Sequence, residues 1–415
     1  MKTDKPPYRV PTMKEIAQIP DNGLRLVSTF SGCGGSCLGY RMAGFRVIWA
    51  NEFIPAGADV YRANNPTTHL DTRDIRKVQP EEILEITGLQ KGELDCLEGS
   101  PPCASFSTAG KRHKHWGKAK QYSDTVQRTD DLFFEFTRLL EGLQPKVFTA
   151  ENVSGLVKGV AKGYFLEILA ELKSCGYRVG CKVLDAQWLG VPQARQRTIF
   201  VGVREDLGKE PVFPKPLPYR YSLKDALPWI VRGKYGPTWK QANIPSPTVN
   251  AHGSYNPETS HQGLELVEAR IVGGTGAPFD HKGQAFDLNQ PSPTILGTKP
   301  NQFEVDMGRF AIGREWDKLK PGEASGKYFN LVRPHPDHPC PTICASHGHP
   351  GVASVTHPTE KRKLTIDELK RICAFPDDFV LSGSYSQQWE RLGRAVPPVM
   401  SFHIARTIRD EIFNL

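Results

Sequence analysis

The sequence lacks the features that mark membrane, secreted and disulfide-stabilised proteins. It has no apolar run of about 18 residues, so no membrane-spanning helix is expected. Residues 1–20 are polar and interrupted by proline, which argues against a signal peptide. Only nine cysteines, an odd number, are spread over 415 residues. Cysteines this sparse do not predict a disulfide scaffold, and we expect the protein to work in a reducing cytoplasm.

What the sequence does contain is typical of a large globular chain. Hydrophobic residues make up 39% and charged residues 24%, which allows an extensive core plus a second module and excludes a mainly disordered chain. Lysine and arginine number 53 against 45 acidic residues, a net charge of +8. Because this excess is small, its distribution matters more than its sum. Residues 108–120 hold five Lys or Arg, two His, one Trp and no acid.

The order of apolar runs predicts an α/β fold with a mostly parallel sheet. Short buried strands are expected at 24–30, 45–50, 94–97, 146–150, 178–184 and 198–203. Helices are expected between them, at about 37–43, 55–62, 131–143 and 163–175. Alternating strands and helices favour parallel pairing, and such sheets bind ligands at the carboxyl ends of their strands.

The composition of the sequence changes near Arg204, which suggests three segments. Residues 1–204 form the first unit and begin with an irregular arm at 1–23. Residues 205–361 are rich in proline and glycine and predict a loop-rich, β-leaning second domain, with Pro-x-Pro-Thr repeats at 245, 291 and 339. Residues 362–415 return to the first unit through helices at 364–373 and from the prolines at 397–398 to about 413.

Several residues near predicted strand ends are candidates for binding a nucleoside. Gly32, Gly34 and Gly35 form a glycine turn between a strand and a helix, which suits close approach of a ligand but equally suits an ordinary turn. Glu52 follows the second strand, where an acid can accept hydrogen bonds from ribose hydroxyls. Phe30 and Phe53 flank these turns and either enclose a purine or belong to the core.

A second group of residues could carry chemistry. Cys103 follows two prolines that stiffen its turn, although a buried inert cysteine is the ordinary alternative. Glu151 ends a predicted strand. Gln193, Arg195 and Arg197 occupy alternate positions, which point to one face of an extended segment, as they also would on a salt-bridged surface.

Two further segments allow more than one interpretation. The basic segment 108–120 directly follows Cys103, which favours a lid that closes on a polyanion over a solvated flexible loop. The cysteines and histidines of 335–349 match no common zinc-finger spacing, so no metal is expected.

Taken in order, these motifs resemble the DNA (cytosine-5)-methyltransferases, of bacterial or phage type. The resemblance covers residues 24–204 and 362–412. It is carried by Phe30-Ser-Gly-Cys-Gly-Gly35, Asn51-Glu-Phe53, Asp71-Thr-Arg-Asp-Ile75, Gly99-Ser-Pro-Pro-Cys103, Glu151-Asn-Val153, Gln193-Ala-Arg-Gln-Arg197 and Gly393-Arg-Ala-Val-Pro-Pro398.

The resemblance implies a Rossmann-like catalytic domain that uses S-adenosylmethionine, with an inserted target-recognition domain at 205–361. It makes Cys103 the nucleophile, Glu151 the group that protonates cytosine N3, and Arg195 the group that holds O2, supported by Gln193 and Arg197. The expected cofactor-binding residues are Phe30, Gly32, Gly34, Gly35, Glu52, Phe53, Asp74, Ile75, Pro101, Leu132, Arg394, Ala395 and Val396. The expected DNA-binding residues are Ser107, Lys111, Arg112 and Lys114.

Three positions depart from the family's pattern. Ala104 stands where glutamine is usual, and Phe53 stands where tryptophan is common. More consequential is Arg394, which stands where the family has asparagine beside the cationic cofactor. Arg394 could turn outward to a DNA phosphate, pair with a local carboxylate, or bind the acidic group of a carboxylated S-adenosylmethionine. In the third case the enzyme is a carboxymethyltransferase.

The sequence also allows two other functions. The chain could be a catalytically weak DNA-binding regulator, although Cys103, Glu151 and Arg195 are all present. It could also be an RNA cytosine methyltransferase, although the long 205–361 insert favours the reading of duplex DNA. We expect a monomer with double-stranded DNA as its partner and no membrane. Whether a cognate restriction endonuclease acts separately beside it is left open.

Overall fold

The fold is built on a central sheet of seven strands between two layers of helices. This computed structural model describes residues 5–102, 120–123, 125–127, 129, 131–157, 162–230 and 305–415. The strands are β1 Arg25–Thr29, β2 Arg46–Asn51, β3 His69–Asp71, β4 Cys96–Gly99, β5 Lys120–Tyr122, β6 Thr125–Gln127, β7 Val147–Val153, β8 Tyr177–Asp185, β9 Gln193–Ala194, β10 Gln196–Arg204 and β11 Cys340–Pro341.

The central sheet has the order β3-β2-β1-β4-β7-β10-β8. Its first five strands pair in parallel, and β10 runs antiparallel between β7 and β8. The prediction of a mostly parallel α/β sheet is therefore confirmed. Connections leave β1 and β4 toward opposite edges of the sheet, so a crevice forms between their carboxyl ends. The motifs at 30–35 and 99–103 begin at these two ends.

Helices cover both faces of the sheet. They are α1 Met13–Ala17, α2 Gly35–Met42, α3 Pro55–Asn64, α4 Pro80–Thr87, α5 Leu132–Leu143, α6 Lys162–Ser174, α7 Leu223–Ala226, α8 Ala311–Trp316, α9 Ile366–Ile372, α10 Tyr385–Arg394 and α11 Pro398–Ile408. The helices expected from periodicity are present within a few residues of their predicted bounds. The sequence reading did not anticipate β3, α4 or α10.

Successive residues of each strand supply two separate cores. Leu26 faces the layer that contains α2 and α11, where Met400 packs. The next residue, Val27, faces the layer of α4, α5 and α6, where Phe136 packs. This alternation follows from the period of two along a strand. Because both faces are buried, the strands read as nearly continuous apolar runs.

The N-terminal arm contains a helix that the sequence did not predict. An irregular segment was expected at 1–23, but α1 forms a short helix there. The Thr12 side chain accepts a hydrogen bond from the Glu15 backbone N–H, and the Thr12 backbone N–H donates one to the Glu15 carboxylate. Ile16 is buried in the cluster that also contains Leu369 and Trp389. Reciprocal capping and one buried side chain therefore hold this short helix.

The proposed domain boundaries at 204–205 and 361–362 stay a prediction. Residues on the far side of the first boundary share a core with the first unit, since Leu223 and Ile230 pack in the same cluster as Leu38 of α2. The third Pro-x-Pro-Thr repeat contributes β11, which pairs in parallel with β9. The repeats at 245 and 291 lie outside the described residues.

The described part of the chain can be checked for disulfides, membrane-spanning helices and metal sites. All eight cysteines there are free. No helix among the described residues is long and apolar enough to cross a membrane. The described residues contain no group of three or more His, Cys, Asp or Glu arranged to hold a metal ion.

A glycine sets the close packing of α2 against α11. A Cβ added at Gly39 would overlap the Pro398 carbonyl oxygen and lie 2.5 Å from the Ser401 Cβ. We expect Gly39→Ala to lower the free energy of unfolding by about 1–3 kcal/mol, because the packed helices must separate to accept the methyl group. Urea titration measures this loss.

Gly163→Ala is the matched control for that experiment. Gly163 is exposed near the start of α6, and an added Cβ would meet no atom within 4 Å. The higher helix propensity of alanine should raise stability there by up to about 1 kcal/mol. Equal effects of the two substitutions would contradict the packing account.

Candidate active site

The glycine turn after β1 brings the backbone into a tight, left-handed path. Phe30, Gly32 and Gly34 have φ values of 54°, 56° and 88°. A Cβ added at Gly35 would lie 2.5 Å from the Val396 carbonyl oxygen, so the start of α2 touches the segment before α11. The structure therefore brings two groups of predicted cofactor residues together, the glycine turn and the pair Ala395 and Val396.

Glu52 ties the end of β2 to this turn. Its carboxylate accepts hydrogen bonds from the backbone N–H of Gly32, at 2.7 Å, and from that of Ile54, at 2.6 Å. Burial raises the pKa of Glu52, while these two N–H donors and the guanidinium groups of Arg391 and Arg394 oppose the shift. The side chain is 6% exposed. The predicted ribose acid is thus held at the rim of the crevice by fixed donors.

The two predicted aromatic residues differ in their surroundings. Phe30 is partly buried against the core beneath the sheet. Phe53 is 37% exposed, although it is large and apolar. An exposed aromatic ring beside Glu52 is consistent with a face that covers a purine, so the role predicted for Phe53 stays open to test.

Asp74, Ile75 and Leu132 form a third part of the predicted cofactor site. Asp74 caps the 3₁₀ turn Ile75–Lys77 by accepting a hydrogen bond from the Arg76 N–H. The Arg76 guanidinium pairs with Asp74 at 3.1 Å and with Asp131 at 2.6 Å. Because Asp131 directly precedes the buried Leu132, this arginine joins the two predicted segments.

Arg394 pairs with a carboxylate on its own helix. Its Nη2 lies 2.7 Å from Glu390 Oε1, one turn earlier on α10. This is the second of the three arrangements that the sequence allowed. The pair is half-buried, and the positive charge of Arg394 also opposes the rise that burial causes in the pKa of Glu52. The unusual cation therefore compensates two carboxylates of this chain.

Glu151 and Arg197 form an ion pair on neighbouring strands. Glu151 is on β7 and Arg197 is on β10, with 2.6 Å between Arg197 Nε and Glu151 Oε1. Both side chains are mostly buried, at 16% and 14% exposure. A carboxyl group beside a guanidinium offers both hydrogen-bond acceptors and fixed donors to a polar ring placed above them.

Arg195 has a different environment from Arg197. It is 1% exposed and donates hydrogen bonds to the carbonyl oxygens of Ile343, Gly393 and Arg394, at 3.1–3.3 Å. Burial, followed by repulsion from Arg197, lowers the pKa of its guanidinium to about 9. Gln193 is also buried, and its amide lies 3.3 Å from Cys373 Sγ. The structure thus places Arg195 and Gln193 against the C-terminal segment, and Arg197 alone against Glu151.

The turn that leads to Cys103 is anchored to the strand that carries Glu151. Asn152 Nδ2 donates a hydrogen bond to the Pro101 carbonyl oxygen at 3.2 Å, and Pro101 is buried. Cys103 itself lies outside the described residues, as do Ser107, Lys111, Arg112 and Lys114. The described end of the turn nevertheless fixes where the chain enters the cysteine segment.

Sequence reasoning missed three residues at this site. Asn152 lies inside a quoted motif, yet it was given no role. Arg391 of α10 donates a hydrogen bond to Ser123 Oγ at 3.0 Å, and its charge opposes the rise in the pKa of Glu52. Glu98 was placed beyond the end of its predicted strand, but it lies within β4 and lines a cavity with Glu151. An acid directly after the predicted strand 94–97 was the available signal.

Comparison with known proteins identifies this arrangement. The family model of the C-5 cytosine-specific DNA methylases matches residues 24–410. The chain belongs to this family. It is therefore a DNA (cytosine-5) methyltransferase, and the family implies S-adenosylmethionine as the methyl donor and DNA as the substrate.

Curated relatives align with the methyltransferase over nearly its whole length. The type II methyltransferase M.NgoPII of Neisseria gonorrhoeae is 28% identical over 397 residues, which cover 94% of this chain and 96% of that protein. M1.HphI of Haemophilus parahaemolyticus is 30% identical over 386 residues, covering 93% and 86%. Both are named type II methyltransferases.

A solved structure supports the fold. A DNA modification methyltransferase encoded within an Escherichia coli prophage superposes with a TM-score of 0.62 and 21% sequence identity. The alignment covers 94% of this chain and 100% of that one. The predicted Rossmann-like methyltransferase architecture is thereby confirmed.

Proposed function

We propose that this enzyme methylates C5 of a cytosine flipped out of duplex DNA, with Cys103 as the covalent nucleophile. The observation that carries the proposal is the Glu151–Arg197 pair beside the turn that leads to Cys103. A carboxyl group and a guanidinium beside the turn that precedes a cysteine suit a ring with a proton acceptor, a carbonyl and an electrophilic carbon.

Each proposed role follows from the chemistry of cytosine. C5 is a poor nucleophile until the Cys103 thiolate adds to C6 and Glu151 donates a proton to N3. The resulting enamine can then attack the methyl group that S-adenosylmethionine supplies. Loss of the C5 proton with expulsion of the thiolate restores the aromatic ring and frees the cysteine, and return of the N3 proton to Glu151 leaves neutral 5-methylcytosine. Extraction of the base costs a few kcal/mol, to be offset by contacts in the pocket and along the phosphates.

We assign contact with the cytosine O2 to Arg197. The sequence assigned this contact to Arg195, and that assignment stays a prediction. However, the Arg195 guanidinium donates hydrogen bonds to three backbone carbonyls, whereas the Arg197 guanidinium forms an ion pair with Glu151. A donor already beside the N3 acid can reach O2 of the same ring, so this geometry favours Arg197.

We propose that DNA is bound by residues from the basic segment and from the target-recognition domain. Ser107, Lys111, Arg112 and Lys114 supply the positive charge that phosphates require, and the 205–361 insert supplies the length for reading bases in a groove. These roles rest on the sequence, because the basic segment lies outside the described residues.

The group transferred is proposed to be methyl. The alternative, a carboxymethyl group from a carboxylated donor, required a guanidinium at Arg394 to bind the extra anion. Its ion pair with Glu390 already places a carboxylate beside it, and its charge also stabilises the ionised form of Glu52. A further anion there would compete with them, so the structure does not favour this alternative.

Mass spectrometry of nucleosides tests the proposal. Duplex DNA of diverse sequence is incubated with the enzyme and either S-adenosylmethionine or its carboxylated analogue, and is then digested. We expect 5-methylcytosine from the first and no 5-carboxymethylcytosine from the second. Absence of 5-methylcytosine, with methylation of tRNA in a parallel reaction, would replace the proposal by the RNA alternative.

Arg394→Asn separates the structural role of Arg394 from donor selection. We expect the variant to keep methylating DNA, with kcat within about tenfold of the wild type, because a solvent-accessible ion pair contributes only about 0–1 kcal/mol. Like the wild type, it should form no 5-carboxymethylcytosine from the carboxylated donor. If the wild type used that donor efficiently and the variant lost it, Arg394 would be the donor-selecting residue.

A further inference from the structure

Glu98 is a buried acid in the middle of the central sheet. It lies on β4, where it is aligned with Ser28 of β1 on one side and Thr149 of β7 on the other. Its side chain is 2% exposed. Residues so aligned on parallel strands share a face, and this face is the one that α2 and α11 cover.

The carboxyl group of Glu98 has hydroxyl partners and no cationic one. Ser28 Oγ donates a hydrogen bond to Glu98 Oε1 at 3.2 Å, and the Ser36 hydroxyl lines the same cavity and lowers the pKa of this carboxyl group. Among the described residues no Lys, Arg or His forms an ion pair with it. An ionised carboxylate buried with neutral donors alone is costly, which makes a cation from outside the chain a favourable partner.

Burial, with repulsion from Glu151, raises the pKa of Glu98 to about 7. The hydroxyl donors from Ser36 and Ser28 act in the opposite direction. The other titratable groups that face it are Cys37 and Tyr40 from α2, Tyr61 from α3, Cys96 from β4 and Glu151 from β7. Burial raises the pKa of the two thiols and of both phenols, so those four groups are neutral at pH 7.

The cavity beside Glu98 adjoins the predicted cofactor residues. Its lining includes Ser36, Ser100, Glu151 and Val396 together with Glu98, and no positively charged residue. Ser36 follows Gly35 directly, and Val396 is the residue whose carbonyl touches Gly35. The cavity therefore lies between the glycine turn and the pair that would hold the base.

We propose that Glu98 binds the positively charged part of the methyl donor, within this cavity. The inference rests on the proposed function, since it needs a donor with a sulfonium or ammonium group at the glycine turn. Charge-assisted hydrogen bonding or close ion pairing in a water-poor cavity then stabilises the ionised carboxylate. The hydrogen bond from Ser28 holds the carboxyl group in place before the donor arrives.

Proton counting by titration calorimetry tests this inference. Binding is measured at pH 7 in buffers of different ionisation enthalpy, with S-adenosylmethionine and with S-adenosylhomocysteine, which lacks the sulfonium charge. A cation lowers the pKa of Glu98, so the wild type should release part of a proton on binding. Release with both ligands assigns the ammonium group as the partner, and release with S-adenosylmethionine alone assigns the sulfonium.

Glu98→Gln should remove this proton release and weaken donor binding by about tenfold or more. In the wild type the affinity should fall as the pH falls below 7, because protonated Glu98 must lose its proton to bind the cation. The variant should lack this fall between pH 6 and 8. Thermal unfolding confirms that it is folded.

Ser28→Ala is a second variant that keeps the carboxyl group. Loss of one donor to the carboxylate should move the pH dependence of binding toward higher pH without abolishing proton release. A wild type that forms 5-methylcytosine but releases no proton with either ligand, with Glu98→Gln binding equally well, would overturn the role of Glu98 alone. A wild type that forms no 5-methylcytosine on DNA would overturn the proposed function itself.

Discussion

Glu151→Gln should lower kcat for DNA methylation by about 10²–10⁴-fold, the range expected when a general acid is removed. Glutamine keeps the size of the side chain and can still accept a hydrogen bond from the exocyclic amine. It cannot give a proton to N3, so addition of the thiolate to C6 loses its driving force. Single-turnover methylation of duplex DNA measures the loss.

Glu141→Gln is the matched control for this substitution. Glu141 is exposed on α5, and the same loss of charge there should leave kcat unchanged. A kcat for Glu151→Gln within threefold or so of the wild type would contradict its role as a proton donor.

Replacing Arg195 or Arg197 by methionine should give opposite defects. Arg195→Met should lower the free energy of unfolding by about 3 kcal/mol or more, because three buried carbonyls lose their donor at about 1–3 kcal/mol each. Arg197→Met also costs some stability, because it leaves the mostly buried Glu151 without its cation, but its main effect should be a fall in kcat/KM by about 10²-fold or more, as when one transition-state donor is removed.

Urea titration and steady-state kinetics on the two variants distinguish these outcomes. The pair is internally controlled, since both substitutions remove one guanidinium from neighbouring positions of the same segment. If Arg195→Met remained as stable as the wild type and lost activity, while Arg197→Met did not, the original assignment of O2 to Arg195 would hold instead.

The strand ends and the glycine turn could be predicted because their signals are local. An apolar run followed by Gly32, Gly34 and Gly35 specifies a strand, a tight turn and a helix start without knowledge of the rest of the chain. Glu52 could likewise be placed at the end of β2. The structure adds the contact that joins them, the hydrogen bond from the Gly32 N–H to the Glu52 carboxylate.

The arrangement of the arginines could not be predicted, because it depends on distant parts of the chain. A period of two places Arg195 and Arg197 on one face, but it does not say what packs there. The carbonyls that hold Arg195 come from residues 343, 393 and 394, about 150–200 positions away. The Arg394–Glu390 pair likewise needed α10, a helix that the sequence reading did not include.

The position of Glu98 shows the same limit at the level of a strand boundary. A shift of two residues moved it from the loop after the predicted strand into the interior of β4. Its neighbours Ser28 and Thr149 come from two other strands, so only the pairing of the sheet reveals a buried acid between hydroxyl groups. Boundaries and pairing are set by tertiary contacts, which a local pattern does not contain.

Covalent trapping on a fluorinated substrate tests the central claim most directly. Duplex DNA of diverse sequence containing 5-fluorocytosine is incubated with the enzyme and S-adenosylmethionine, because fluorine at C5 blocks the final loss of the proton. We predict a denaturant-resistant protein–DNA adduct that peptide mass spectrometry maps to Cys103, and no adduct with Cys103→Ala. Undiminished trapping by Cys103→Ala, or methylation of DNA by that variant, would contradict the account.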